Sequence, residues 1–162
     1  MPAPLVELAS LDLSRTVHPK EEVYEILRHR GTFALVDGIL HFDPTQELIV
    51  GFKDIRLDDW WAKDHIPGRP IFPGVLMIEA ATQIGCFDYF KRRPNIPLAF
   101  VGFTGIDNTK FRAPVEPPSR MVFVGKGVRS RTVGGRVLFT YVFQGFVAEK
   151  LVFEADVTGM QF

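Results

Sequence analysis

Cysteine is almost absent from this chain of 162 residues, in which Cys86 stands alone. A single cysteine cannot close a disulfide within the chain, and this usage is typical of a reducing compartment, so we expect a cytoplasmic location. The sequence also lacks an apolar run of the roughly 20 residues that a membrane helix needs. Its first residues show no basic segment followed by an apolar one, so no secretory signal is expected. These absences predict a soluble protein with no membrane insertion.

An excess of charge is lacking as well, because 19 lysines and arginines balance 19 aspartates and glutamates. A chain without net charge is a poor candidate for general nucleic-acid binding. The four histidines show none of the HxxxH or HxH spacings of metal sites, and one cysteine is too few for a structural zinc. We therefore predict neither a nucleic-acid partner nor a metal site.

Internal repeats, linkers and low-complexity segments are also missing, and the length suits one domain. Residues 1–19 alternate only weakly and carry three prolines, which indicates a loosely attached N-terminal arm without a fold of its own. We predict such an arm over residues 1–19 and a single domain over residues 20–162.

What the chain does contain is one organising stretch, residues 64–83. This stretch begins as a loop stiffened by Pro67, Pro70 and Pro73. At Pro73-Gly74 the pattern predicts the start of the longest helix, because proline suits a first helical turn. From Val75 to Phe90 the segment is apolar almost all the way round, which is typical of a helix buried on most sides.

A carboxylate inside that helix is the anomaly. Burying Glu79 costs several kcal/mol unless the side chain is neutral, paired or used. Gln83 lies one turn on, on the same helix face, and is placed to hold it. A carboxyl in an apolar setting has a raised pKa and can stay protonated, whereas a histidine accepts a proton near neutral pH. Glu79 is therefore a candidate general acid, and His65 a candidate general base.

Gly74 lies between these two residues and supplies a third component. Its N–H stands at a helix N-terminus, where the partial positive charge favours a developing oxyanion. A base, an acid and an oxyanion donor are the parts needed to remove a proton next to a carbonyl and expel a β-hydroxyl as water. Each residue alone also has a structural explanation, such as a loop histidine, a paired glutamate or a tight helix entry. Their combination favours a dehydration.

The flanking segments predict the fold class. An amphipathic helix is expected over residues 20–30, and two strands over residues 33–42 and 47–55 form a hairpin. Residues 57–63 are expected to form a turn or short helical piece. Further strands are predicted at residues 98–103, 121–130, 137–148 and 151–158. Because one long helix cannot cover a sheet of six or seven strands unless the sheet curls around it, we predict an α+β fold with a curved antiparallel sheet wrapped around the helix.

The central stretch also carries a family resemblance. Residues 65–80, from His65-Ile66-Pro67-Gly68 to Ile78-Glu79-Ala80, resemble the signature of the bacterial 3-hydroxyacyl-[acyl-carrier-protein] dehydratases of the FabZ/FabA type. The similarity extends to residues 27–30, 33–37, 103–107 and 110–115, and more weakly to residues 152–155. It covers most of the chain from about residue 20.

This resemblance implies a hot-dog fold, built as a homodimer or a trimer of dimers, that works without metal or organic cofactor. His65 would face Glu79 of the partner subunit, Gly74 would supply the oxyanion N–H, and Val75 a neighbouring backbone contact. The substrate would be a 3-hydroxyacyl chain on acyl carrier protein, and the product a trans-2-enoyl thioester in fatty acid or related lipid or polyketide biosynthesis. Because Glu79 stands where the isomerising branch has aspartate, the resemblance favours dehydration without isomerisation.

Some positions depart from the family pattern. Arg28 replaces a usual proline, Gly31-Thr32 a usual Tyr-Pro, Asp64 a common glycine, and Gly102 an aromatic residue proposed to gate the acyl tunnel. These departures leave the acyl length open. Two alternatives therefore remain, a hot-dog acyl thioesterase and a non-catalytic protein that binds acyl thioesters.

A local excess of cations bears on the partner. Between residues 110 and 136 the only acid is Glu116. The cations of this segment are Lys110, Arg112, Arg120, Lys126, Arg129, Arg131 and Arg136. Such a segment is either a solvated surface or a docking site for an acidic carrier protein.

Overall fold

The computed structural model describes residues 2–98 and 100–162, so Met1 of the predicted arm and Ala99 of the predicted strand 98–103 lie outside it. Within these ranges the chain forms two α-helices and seven strands. The strands form one curved sheet in the order β1-β2-β3-β5-β6-β7-β4, with every neighbouring pair antiparallel. The elements are β1 (His18–Pro19), α1 (Lys20–Ile26), β2 (Gly38–Asp43), β3 (Leu48–Ile55), α2 (Gly74–Lys91), β4 (Val101–Phe111), β5 (Ser119–Val133), β6 (Arg136–Val147) and β7 (Lys150–Gln161).

Helix α2 lies in the concave side of this sheet and contacts β3, β5 and β7. It begins directly after Pro73, as the sequence predicts, and is the longest helix of the described chain. Ala80, Ala81 and Ile84 are completely buried between helix and sheet. Gly51 of β3 permits this close approach, because a Cβ there would lie 2.7 Å from the Ile84 side chain. The predicted α+β fold, a curved antiparallel sheet around one long helix, is confirmed.

Two predicted elements in the first half extend too far. The helix predicted over residues 20–30 ends at Ile26, and the chain is already extended at Leu27. The strand predicted over residues 33–42 starts only at Gly38. Tertiary hydrogen bonds explain the second difference, since the N–H groups of Leu35 and Val36 donate to side chains of α2 and α1 instead of to a neighbouring strand.

The predictions for the second half are closer. The strand predicted over residues 98–103 begins at Val101 and continues to Phe111, where it forms one edge of the sheet. The other three predicted strands are present; β5 and β7 are longer than predicted by a few residues, and β6 has the predicted length but is shifted by one residue. The predicted hairpin of β2 and β3 is present as well. The sequence therefore locates these strands correctly and underestimates the length of β4, β5 and β7.

The N-terminal arm crosses the convex face of the sheet. Its apolar side chains pack on what we term the outer-face cluster, which consists of Leu40, Leu48, Val50, Phe52 and Val124. The arm residues in contact are Leu5, Val6, Leu8, Leu11 and Leu13. The buried Gln144 fixes the chain further, because its amide donates to the Ala3 carbonyl and accepts from the Leu5 N–H. These contacts attach the arm more firmly than its prolines indicate.

Candidate active site

His65 stands on an exposed loop whose geometry is set by backbone contacts. Its N–H donates to the carbonyl of Trp61 at 2.9 Å. The ring Nδ1 lies 2.8 Å from the Ile71 carbonyl. Because a carbonyl oxygen only accepts, Nδ1 carries the proton in this contact, and Nε2 keeps the free lone pair of the neutral ring. The loop thus presents His65 in the tautomer that a general base requires.

The same loop borders a cleft of about 540 Å³. Residues 71–75 and 111–114 line it together with His65. Phe72 anchors the loop, since its ring is buried against Trp61 and its N–H donates to the Val115 carbonyl at 2.8 Å. A packed aromatic pair therefore anchors the loop on both sides of His65.

Gly74 and Val75 form the start of α2 on the wall of this cleft. The first N–H groups of a helix have no partner within the helix, so they are available to an oxyanion. A Cβ on Gly74 would lie 2.8 Å from the ring of Phe111, so only glycine fits here without a shift. Val75 is largely exposed to the cleft. The structure brings His65, Gly74 and Val75 together at this cleft.

Glu79 is held from two sides. Gln83 donates through Nε2 to Glu79 Oε1 at 2.8 Å, and His29 Nε2 lies 3.3 Å from the same oxygen. Gln83 is itself fixed, because Nε2 also donates to the Phe33 carbonyl while Oε1 accepts from the Tyr24 hydroxyl and the Leu35 N–H. Gln83 therefore has a partner for each of its amide groups and orients the carboxylate rigidly.

The electrostatics of Glu79 differ from the sequence-based expectation. We expected burial to raise the pKa of this carboxyl. The contact with His29 lowers the pKa instead, and although burial acts in the opposite direction, the hydrogen bond from Gln83 adds to the lowering. The expectation was wrong because it counted the apolar helix and omitted the donors that residues outside the helix bring to it.

Two of the residues around Glu79 were missed at the sequence level. His29 belongs to the resemblance segment 27–30 but carried no role, and Tyr24 is a buried residue of a short amphipathic helix. The contact with His29 spans 50 residues of sequence, counted from 29 to 79. The sequence does indicate that a carboxylate in an apolar helix needs hydrogen-bond donors. Gln83 is the donor that the helix itself offers, and the sequence gives no sign of the second one.

A second, narrower pocket of about 70 Å³ adjoins Glu79. Helix α2 contributes Thr82, Gly85 and Cys86 to its wall, and β4 contributes residues 101–103. Phe139 and Tyr141 of β6 also line it. Gly102 therefore lies beside this apolar space, at the position where the family pattern has an aromatic residue. The pocket is narrow and is lined mainly by apolar and small residues.

His65 and Glu79 do not meet within one chain. In the described residues no hydrogen bond or ion pair joins them, and the two pockets that they border share no lining residue. One chain therefore offers a base with an oxyanion donor in one cleft, and a held carboxylate in another.

The cations of residues 110–136 are not all free to meet a partner. Arg112 borders the His65 cleft and pairs with Glu154. Arg120 binds Asp54 with two hydrogen bonds, which lower the pKa of that carboxyl. In the part of the chain that the structure describes, no group of three potential ligand residues is placed to hold a metal ion. No helix there is long and apolar enough to cross a bilayer.

Solved structures with this architecture share little sequence with the chain. The dehydratase heterocomplex ApeI:P from Xenorhabdus doucetiae aligns with a TM-score of 0.71 at 11% identity, over 91% of this chain and 93% of that one. A hypothetical thioesterase with coenzyme A from Streptococcus pneumoniae TIGR4 aligns with a TM-score of 0.61 at 8% identity, over 88% and 95% of the two chains. At these identities the likeness shows the hot-dog fold alone.

Sequence comparison is more specific. A family model described as a FabA-like domain matches residues 27–156. The chain is 34% identical over 137 residues to the 3-hydroxyacyl-[acyl-carrier-protein] dehydratase FabZ of Desulfotalea psychrophila, which covers 83% of this chain and 87% of that protein. It is 37% identical over 142 residues to the protein of the same name from Campylobacter jejuni, over 86% and 94%. The chain therefore belongs to the FabA-like family, among the 3-hydroxyacyl-[acyl-carrier-protein] dehydratases of the FabZ type.

Proposed function

We propose that this protein removes water from a 3-hydroxyacyl thioester carried by acyl carrier protein and forms a trans-2-enoyl thioester. The enzyme is a hydro-lyase of fatty acid or related lipid biosynthesis, as its FabZ relatives indicate. The observation that carries the proposal is the pair of half-sites in one chain, a histidine beside a helix N-terminus and a glutamate held at a narrow, mainly apolar pocket.

The residues divide the reaction as follows. His65 Nε2 takes the proton from the α-carbon, and the electron pair of that bond moves toward the thioester carbonyl. The oxygen that becomes negative is stabilised by the Gly74 N–H at the start of α2, next to the Val75 backbone. Glu79 then donates a proton to the β-hydroxyl, which leaves as water while the α,β double bond forms. Gln83 holds the carboxyl in place.

The two halves of the site are proposed to come from different subunits. Strand β4 is an edge of the sheet, and Phe103, Ile106 and Phe111 on it are exposed apolar side chains. Its first residues border the Glu79 pocket and its last residue borders the His65 cleft. If two copies pair antiparallel through β4, the beginning of one strand meets the end of the other. Such a homodimer places His65 of one copy toward Glu79 of the partner subunit, and a trimer of dimers would retain this pairing.

The acyl carrier protein is the proposed partner, because the relatives are named for it. Arg112 lines the His65 cleft, where it already pairs with Glu154, and Lys110 lies two residues before it at the same end of β4. We propose that this end of β4 meets the acidic carrier. A cytoplasmic location likewise stays a prediction from the single cysteine.

Mass spectrometry of a 3-hydroxyacyl carrier protein tests the proposal. We expect the wild type to remove one water from the thioester, and His65→Ala and Glu79→Gln to reduce this rate by at least about 100-fold, the usual contribution of a general acid or base. His41→Ala, which alters a histidine of β2 that lines neither pocket, serves as the control. Release of the free acid would identify a thioesterase instead, and an unchanged thioester with short and long chains would identify a binding protein.

A further inference from the structure

The glutamate of the proposed site has one engaged oxygen and one free oxygen. Gln83 and His29 both contact Glu79 Oε1. Within residues 2–98 and 100–162, Oε2 makes no hydrogen bond. The carboxyl therefore presents one oxygen to a substrate, while the other joins it to an imidazole. With this arrangement a carboxyl can give a proton to the substrate on one side and receive a new proton from the imidazole on the other.

His29 itself is held in an unusual way. Its Nε2 meets Glu79, whereas Nδ1 is buried without a partner among the described residues. A histidine with a purely structural role usually has both ring nitrogens satisfied, because a buried unpaired nitrogen costs free energy. The contact with Glu79 is thus the only polar contact of this ring in the described chain.

We propose that His29 is a positioning residue that stores the proton which Glu79 delivers to the leaving hydroxyl. This inference rests on the proposed dehydration. In the resting pair one transferable proton lies on His29 Nε2, toward Glu79 Oε1, and Nδ1 carries the other ring proton. As the C–O bond breaks, this proton passes through the Glu79 carboxyl to the β-hydroxyl, which leaves as water, so that the pair is left as a neutral imidazole and a carboxylate. Solvent then restores the one proton of the pair, and His65 returns the α-proton to solvent, so the proton balance closes.

The surrounding groups leave this role to His29. Tyr24 and Cys86 stay protonated at neutral pH, because burial raises the pKa of the Tyr24 hydroxyl and raises that of the Cys86 thiol to about 12. The neighbouring arginines donate hydrogen bonds to backbone carbonyls. Arg28 donates to the carbonyl of Leu98, and Arg30 donates to those of Leu27 and His29. Among the described residues that face Glu79, His29 is therefore the one whose side chain type titrates near neutral pH.

The test compares the pH profile of kcat for the wild type and His29→Gln, an amide that still donates to Glu79 but holds no titratable proton. The reference pKa values of an imidazole and a carboxyl differ by about two units. In the wild type the alkaline limb of kcat reports the loss of the last proton of the coupled pair, which the imidazole retains to higher pH than a carboxyl does. In His29→Gln only the carboxyl can hold a proton, so the alkaline limb should move to lower pH by at least about one unit. We also expect kcat to fall about 10-fold with KM nearly unchanged, because His29 lines neither pocket of the proposed site.

A second readout does not depend on activity. In protein labelled with ¹³C-glutamate, assigned with Glu79→Gln, the titration midpoint of the Glu79 carboxyl should rise in His29→Gln, because the amide keeps a hydrogen bond but removes the charge of His29, which also lowers the pKa of this carboxyl. His29→Asn repeats both measurements with a shorter amide if the first variant folds poorly. The matched control is His18→Gln, which removes another histidine–glutamate pair, 2.9 Å from Nδ1 to Glu22 Oε1, away from both pockets.

The outcomes separate the two proposals. A wild type that dehydrates the substrate, with an alkaline limb that coincides in wild type and His29→Gln, overturns the role of His29 and leaves the dehydratase standing. An unchanged Glu79 midpoint in His29→Gln also overturns it. A wild type that removes no water overturns the proposed function and, with it, this inference. A shifted limb together with a raised midpoint, both absent in His18→Gln, supports the inference.

Discussion

Mixing two inactive variants tests whether the active site spans two subunits. His65→Ala and Glu79→Gln each remove one half of the site, so each homodimer should be inactive. In a mixed dimer one site loses both residues and the other keeps both, because each site takes its histidine and its glutamate from different chains. Random pairing of equal amounts makes about half of the dimers mixed, each with one of two sites intact, so activity should return to about a quarter of the wild-type value.

The experiment uses co-expressed chains with two different affinity tags, so that the mixed dimer is purified on both. This purified species should have about half of the wild-type kcat per dimer, since one site of two is intact. A mixture of separately purified variants, assayed before any exchange of chains, is the control and should remain inactive. Full loss of activity in the purified mixed dimer would show that His65 and Glu79 act within one chain, and the β4 pairing would then be wrong.

Other predictions concern single residues. Gly74→Ala places a Cβ 2.8 Å from the Phe111 ring, so a shift at the helix entry should lower kcat by about 10-fold or more while circular dichroism stays unchanged. Tyr24→Phe removes a hydroxyl that donates to Gln83 at 2.6 Å, and urea unfolding should show a loss of about 1–3 kcal/mol; an equal free energy of unfolding would contradict this. Burial raises the pKa of the Cys86 thiol to about 12, so this residue should react with a thiol reagent at pH 8 far more slowly than an exposed cysteine, and labelling as fast as that of a free thiol would contradict this.

The fold followed from the sequence where the deciding signals are local or geometric. Pro73 and the continuous apolar surface after it predict where α2 starts and that it is buried. The curvature of the sheet follows from the need to cover many strands with one helix. Segment 33–37, in contrast, has the composition of a strand but is not one, because Leu35 and Val36 donate to Gln83 and Tyr24. Such contacts join residues far apart in sequence, and the hydrophobic periodicity of a segment cannot predict them.

The candidate site was predictable in its parts and not in its electrostatics. His65, Gly74 and Val75 are close in sequence and meet at one cleft. The pKa of Glu79 depends instead on His29, which approaches only because the chain leaves the helical conformation at Leu27. A carboxyl with a lowered pKa holds its proton less tightly. This is why we propose that a second group, His29, supplies the proton that Glu79 delivers.

The arm provides a prediction that separates stability from catalysis. Deleting residues 2–13 exposes the outer-face cluster on the convex side of the sheet, whereas both pockets border the opposite, helix-bearing side and β4. Because five apolar side chains of the arm lose their contacts, the free energy of unfolding should fall by about 2–4 kcal/mol and binding of a hydrophobic dye should increase. Gln144→Ala, which removes only the hydrogen bonds to the arm, should show a smaller loss. The kcat per folded site should stay unchanged in both variants. A lower kcat in fully folded protein would show that catalysis needs the arm as well as the domain of residues 20–162.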